Sequence, residues 1–167
     1  MNWIMVAASV LVTIPTASFA ETFLYTPTRG PGCIDRSKPS LEVRTCAGVA
    51  GFAVVLSDEG NLVSFGIRYP GEPSVRSAHV WRGAGQMFGE LVEWRMEGGS
   101  PTHAVLRAWR TTTAKDGSES VANELLVFRV RRSASCLVGS IDVRKPNANF
   151  AAHLTMREPD RPCLIDN

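Results

Sequence analysis

The sequence predicts a small α+β domain, mainly β: an antiparallel meander sheet, curled or barrel-like, with one C-terminal helix and two disulfides. Three observations predict it. Short β-rich runs separated by turn residues follow one another through most of the chain. One late segment, "KPNANFAAHLTMREPDRPC", turns to helix formers. Four cysteines, Cys33, Cys46, Cys136 and Cys163, form an even set with no C-x-x-C pair. Strand after strand and then one helix is the order of an antiparallel α+β domain.

The chain opens with "MNWIMVAASVLVTIPTASFA", which carries no charged side chain and ends on the small residues Ser18 and Ala20. That is the pattern of a cleaved secretory signal over residues 1–20. Pro15 and Thr16 interrupt the apolar run, leaving it shorter than the ~20 residues a membrane span needs. No later run is long enough, so no span is expected after cleavage. In an exported chain the cysteines read as disulfides. Three connectivities are open; local closure favours Cys33–Cys46 and Cys136–Cys163, each loop stabilising the fold by roughly 3 kcal/mol.

Residues 21–40, rich in Pro, Gly and Ser, read as an irregular arm tied down by Cys33. Residues 41–167 read as one disulfide-stabilised domain. "LEVRTC" is its first strand. "GFAVVLS" and "NLVSFGIRY" flank Asp58-Glu59-Gly60, a hairpin signal. Phe52, Val54 and Leu56 share one face, as do Val63, Phe65, Ile67 and Tyr69. Residues 70–86 have no clean period and read as a long loop, a place where function or mobility concentrates. "NELLVFRVR" and "SCLVGSIDV" are two further strands. In the last segment Asn147 caps a helix over Ala148–Arg157 that Pro159 stops. Phe150, Leu154 and Ala151 form its apolar stripe.

"GELVEWRMEGGSPTHAVLRAWR", residues 89–110, reads as a hairpin with Val92, Trp94 and Met96 on one face and Leu91, Glu93 and Arg95 on the other. Paired residues point the same way, so Trp94 needs an even-numbered partner. A two-residue Gly98-Gly99 turn mixes the faces. A three-residue loop pairs Trp94 with Ala104 and Arg95 with His103. A five-residue loop pairs Trp94 with Leu106 and Glu93 with Arg107. The last is favoured, because it sets opposite charges face to face and keeps Pro101 out of the ladder. Glu93, Arg95 and Arg107 then form a solvated face, and Trp109 is the odd aromatic on it.

The net charge of +2 argues against a nucleic-acid partner. No G-x-S-x-G, H-E-x-x-H or phosphate-cradling G-x-x-x-x-G-K motif occurs. His79, His103 and His153 lie far apart, so no metal and no cofactor is expected. Glu90, Glu93 and Glu124 are the carboxylates open to hydrolase chemistry. "VRSAHVWRG" gathers Arg76, His79, Trp81 and Arg82, residue types enriched where proteins bind partners; with Trp109 they are the candidate binding residues. The competing expectation buries Trp81 as an anchor of the loop. The basic run "RVRRS" at 129–133, followed by Arg144 and Lys145, reads either as an edge that meets an anionic envelope polymer or as a charged guard against sheet aggregation.

"TCAGVAGFAVVLSDEGNLVSFG", "VEWRM" and "CLVGSIDVRKPNANFAAHL" together resemble a family of uncharacterised exported proteins of Gram-negative bacteria, over Cys46 to Cys163. The resemblance implies export and fold and carries no activity. The expected function is a non-catalytic periplasmic or secreted binding module for an envelope protein or glycan, a lysozyme-inhibitor-like protein being one special case. The alternative is a small periplasmic hydrolase using a carboxylate and a histidine. The enzyme needs one of the three histidines beside Glu or Asp in a concave site. The binding module needs Trp81 or Trp109 exposed beside arginines, without such a dyad.

Overall fold

The computed structural model describes residues 21–39, 41–60, 62–72, 78–81 and 87–164. The leader expected at 1–20 lies outside them, as do Arg76 and Arg82. The described strands are β1 (Thr22–Pro27), β2 (Cys33–Asp35), β3 (Glu42–Ala47), β4 (Ala53–Asp58), β5 (Leu62–Arg68), β6 (Ala78–Trp81), β7 (Phe88–Glu97), β8 (Ser100–Thr113), β9 (Glu119–Arg129) and β10 (Cys136–Asp142), followed by helix α1 (Ala148–Thr155). The chain is therefore mainly β with one C-terminal helix, and the pairings are antiparallel.

The strands do not close into a barrel. They divide into two open sheets, a central one ordered β1-β7-β8-β9-β10 and an outer one ordered β2-β3-β4-β5-β6. Two sequence expectations change here. The irregular arm at 21–40 supplies β1 and β2, one strand to each sheet. The long loop at 70–86 contains β6, which pairs with β5 from Phe65↔Ala78 to Leu62↔Trp81. Both segments lack strong alternation because they supply short strands at sheet edges, and an edge strand needs little of the one-sided periodicity that marks a buried face.

Alternation in the longer strands builds the main core. Val92, Trp94 and Met96 of β7, Leu106 and Ala108 of β8, and Leu126 and Phe128 of β9 meet Val54, Val63, Phe65 and Ile67 of the outer sheet. Trp94 is fully buried, and its indole N–H donates to Thr26 Oγ1 at 2.7 Å. That bond satisfies a donor which would otherwise be stranded in the core.

The β7–β8 hairpin corrects the favoured register. Trp94 pairs with Ala104 and Arg95 with His103, and the turn is the two-residue Gly98-Gly99, with φ of 55° and 80°. Such a turn needs two left-handed residues, which glycine adopts without strain. A bulge between Arg95 and Met96 absorbs the extra residue Thr102, so the faces do not mix. Pro101 does enter the ladder, opposite Met96, but at a point where β8 has not yet begun to pair with β9. Its missing N–H is not called upon.

The odd-numbered face of the central sheet is not left to solvent. Val105, Leu125, Val127 and Val138 lie under Ala148, Ala152 and Met156 in a second core. The helix therefore docks on its alanine side. Phe150, predicted as core stripe, is 60% exposed, and Leu154 is exposed too. Asn147 stands at the N-cap in a left-handed conformation without a side-chain capping bond, and the helix stops at Thr155 rather than Arg157. Small side chains are required because the sheet comes close at Gly139, where a Cβ would sit 3.1 Å from Thr155 Cγ2.

Both disulfides take the local pairing, Cys33–Cys46 and Cys136–Cys163. The first joins β2 to β3 directly across the ladder. The second returns the segment after α1 to β10, assisted by Leu164 N donating to Leu137 O at 2.8 Å and Arg161 Nε donating to Val138 O at 2.8 Å. Replacing Gly139 with valine is expected to lower unfolding free energy by about 1–3 kcal/mol by wedging α1 off the sheet. Urea denaturation checks this; an unchanged midpoint would contradict the close helix–sheet contact.

Candidate functional site

Register places the polar residues of the helix-side face in rows across the central sheet. Phe23, Arg95, His103, Arg129 and Cys136 are consecutive partners on five strands. Tyr25, Glu93, Val105 and Val127 form the next row. Arg107 opposite Leu125, and Trp109 opposite Asn123, continue the face. Cross-strand partners share a side of the sheet, so these residues look toward α1.

The helix brings a histidine onto the second row. His153 Nε2 lies 2.6 Å from Glu93 Oε1, and its ring stacks on Phe23 with centroids 4.8 Å apart. Tyr25 donates its hydroxyl to Glu93 Oε2 at 3.1 Å. Partial burial and the Glu93 carboxylate both push the tyrosine hydroxyl above its ordinary pKa. Glu93 therefore has one oxygen on each partner, and the imidazole is fixed in one plane. A carboxylate that orients a histidine is half of a general-base arrangement. Both side chains are partly exposed, His153 at 35% and Glu93 at 21%.

The first row is strongly basic and partly buried. Arg95 is gripped by Glu21 and Glu97 and donates Nη1 to the carbonyl of Met156 at 2.7 Å. Glu21 also takes Arg157 Nη2 at 2.8 Å, and the two guanidiniums hold its carboxyl below the usual range against the pull of burial. Arg129 donates Nη1 to Arg161 O at 2.8 Å and directs Nη2 at the sulfurs of Cys163 and Cys136. Between the two arginines sits His103, only 3% exposed, with neither ring nitrogen bonded. An orphaned buried polar group of this kind costs roughly 1–3 kcal/mol. Burial, reinforced by Arg95, Arg129 and Arg131, lowers His103 to a pKa of about 4.

Beyond the covered part of the face, a groove of about 590 Å³ runs between the start of α1 and the sheet. Arg107, Leu125, Lys145, Asn147, Asn149 and Phe150 line it. Arg107 donates Nε to Asn123 Oδ1 at 2.9 Å, and its guanidinium carbon lies 5.2 Å from the centre of the Trp109 ring. The Trp109 ring is half-buried. An arginine set over an indole and tied by a hydrogen bond is preorganised, with its remaining donors free for a ligand.

Of the sequence candidates, Trp109 stands under Arg107, and it is Arg107 that lines this groove. His79 and Trp81 lie on β6 in the other sheet, paired with Ser64 and Leu62. Arg76 and Arg82 fall outside the described residues, so the loop cluster is not assembled among them. Glu90, Glu93 and Glu124 do not converge; they pair with Arg29, His153 and Arg110 respectively. The expected Glu93–Arg107 cross-strand pair is absent too, because the register sets Glu93 opposite Val105. The sequence reading missed the Glu93–His153 contact and the basic row. A signal for both was present: Val105, Leu125 and Val127 are apolar on the face assigned to water, which means something must cover it. No family model, curated protein or solved structure matches this chain.

His103 gives the fold a pH dependence of definite sign. The unfolded chain takes up a proton near 6.5, the ordinary value, whereas the folded chain resists until about 4. Between those values the unfolded state holds more protons, so stability rises with pH and is complete above 6.5. The His103 contribution lost on acidification is on the order of 3 kcal/mol. Urea unfolding of the native protein and of His103→Phe across pH 4–7 checks it: the difference between them should shift with pH, and a constant difference would contradict the assignment.

Proposed function

We propose that the protein is a non-catalytic binding module of an exported compartment, taking an envelope protein or glycan in the groove beside α1. The observation that carries this reading is Arg107 laid over Trp109 at a groove that also exposes Phe150, Lys145 and Asn149. Aromatic faces with adjacent amides and a fixed cation suit sugar rings and peptide side chains alike, and Trp and Arg are the residue types that dominate binding energy at interfaces. Export is part of the proposal. Two disulfides and the lack, among described helices, of one long and apolar enough to cross a membrane are compatible with it. The charge-free leader and the resemblance to exported Gram-negative proteins point the same way.

The experiment is co-sedimentation with isolated cell-wall glycan and pull-down from periplasmic extract, comparing the native protein with Trp109→Ala and Arg107→Gln. Each substitution is expected to weaken capture at least about tenfold, the scale of an interface anchor. Capture unchanged in both variants would remove the groove as the site.

A second reading is favoured by one contact, His153 to Glu93 at 2.6 Å. In a hydrolase His153 would be the general base and Glu93 its orienting carboxylate, with Tyr25 holding the second oxygen. The partial exposure of the pair weighs against it, since such chemistry gains most where water is excluded. Assay of envelope esters and amides with native protein and Glu93→Gln separates the readings. Hydrolysis lost by at least about a hundredfold in the variant would favour the enzyme, on the usual scale of acid–base catalysis.

A further inference from the structure

We propose that the cleft between the end of α1 and strands β7–β9 is a binding site for a phosphate group, as the free ion or a small monoester, held chiefly by Arg129 and Arg131. The cleft measures about 250 Å³, and Arg95, Glu97, His103, Arg129, Arg131 and Arg157 supply its ionisable lining. It is distinct from the groove beside Trp109.

Charge selects the ligand. Arg95 and Arg157 are already compensated, the first by Glu21 and Glu97 and the second by Glu21. Glu97 is the one carboxylate in the lining, and it is committed to Arg95. Among the described residues, Arg129 and Arg131 have no carboxylate within ion-pair distance. Two guanidinium charges thus converge on one small cleft without counter-ions. A dianion matches them, and phosphate near neutral pH carries a charge of about −1.5 to −2. A carboxylate, with a single charge, leaves one guanidinium uncompensated.

Hydrogen bonding points to the same place. Arg129 Nε is buried and unbonded, although both Nη atoms have partners. Both ring nitrogens of His103, the lateral neighbour of Arg129 on β8, are unbonded as well. Buried polar atoms in native folds are nearly always satisfied, and the neutral His103 ring carries one N–H to donate. A tetrahedral oxyanion offers several acceptors, so one group can meet Arg129 and Arg131 and, with a small shift of the covering side chains, His103. Arg129 is also preorganised, since its Nη atoms are anchored to Arg161 O and to the disulfide sulfurs. Arg129 then offers its Nε–H, and the exposed Arg131 supplies the guanidinium whose fork suits phosphate oxygens.

The test uses inorganic phosphate and glycerol 3-phosphate in calorimetric titrations of the full protein, with chloride at matched ionic strength as control. Saturable binding of phosphate but not chloride is expected. Tighter binding of glycerol 3-phosphate would assign the site to a monoester, and equal binding to the free ion. Arg131→Gln, an exposed position, is expected to weaken binding roughly tenfold or more, the loss of one charge-assisted pair. Arg129→Gln risks unseating the C-terminal clip, so in the native protein the Arg129 Nε–H and His103 ring resonances are followed by NMR; both should shift saturably with phosphate. No saturable binding of either probe, or binding indifferent to Arg131→Gln, would overturn the proposal.

Discussion

Everything in this molecule depends on three adjacent strands, β7, β8 and β9, being covered on both sides. Their even-numbered residues face the outer sheet and make the larger core; their odd-numbered residues face the helix and make the smaller one. Because side chains alternate strictly along a strand, one slip in register would exchange the two sets, setting Arg95 and Arg129 against the outer sheet and Trp94 under the helix. The bulge between Arg95 and Met96 preserves parity beside a turn that would otherwise break it, and another between Leu137 and Gly139 does so where β10 passes beneath α1. The bulges are thus part of the specification, in the way that a local irregularity often protects a global pattern.

A two-sided sheet also explains where the polar chemistry sits. The helix has eight residues, about 12 Å of rise, while five strands span about 19 Å across and β8 alone runs to 14 residues. It covers part of the face and leaves two margins. On one, Arg107 stands open beside the first turn of the helix, over a half-buried Trp109. On the other, arginines surround the last turn, Arg95 largely buried and Arg131 and Arg157 exposed. Cations near a helix C-terminus also sit favourably in the field of its carbonyls. The aliphatic middle is where Ala148, Ala152 and Met156 touch down.

How far the sequence revealed this follows from range. The class, the order of most strands, the single helix and both disulfides were legible, because each depends on a local pattern or on loop length. Trp94 as core was legible from period two alone. The edge strands β1, β2 and β6 were not, since a short edge needs little alternation. The hairpin register failed for a related reason: an argument from Glu93–Arg107 attraction and an unwelcome Pro101 weighed two fractions of a kilocalorie, whereas the fold was decided by burying a whole aliphatic face. Helix orientation failed because size was weighed rather than fit. Phe150 and Leu154 are the larger apolar side chains, but a sheet that approaches as closely as it does at Gly139 admits alanine. The Glu93–His153 contact joins residues 60 positions apart, beyond anything a spacing rule reaches.

One detail carries a consequence for timing. Glu21, in front of β1, is clasped by Arg157, just past α1, and by Arg95 in the middle of the chain. The earliest described residue is therefore secured by nearly the last. Pairings of such long sequence separation are the slowest to form and cannot form at all until the distal segment has been made. A ribosome-bound chain can hold every strand of the central sheet while still lacking the lid of its second core. The second core is thus the last part of the fold that can be completed, and the clasp on Glu21 closes with it.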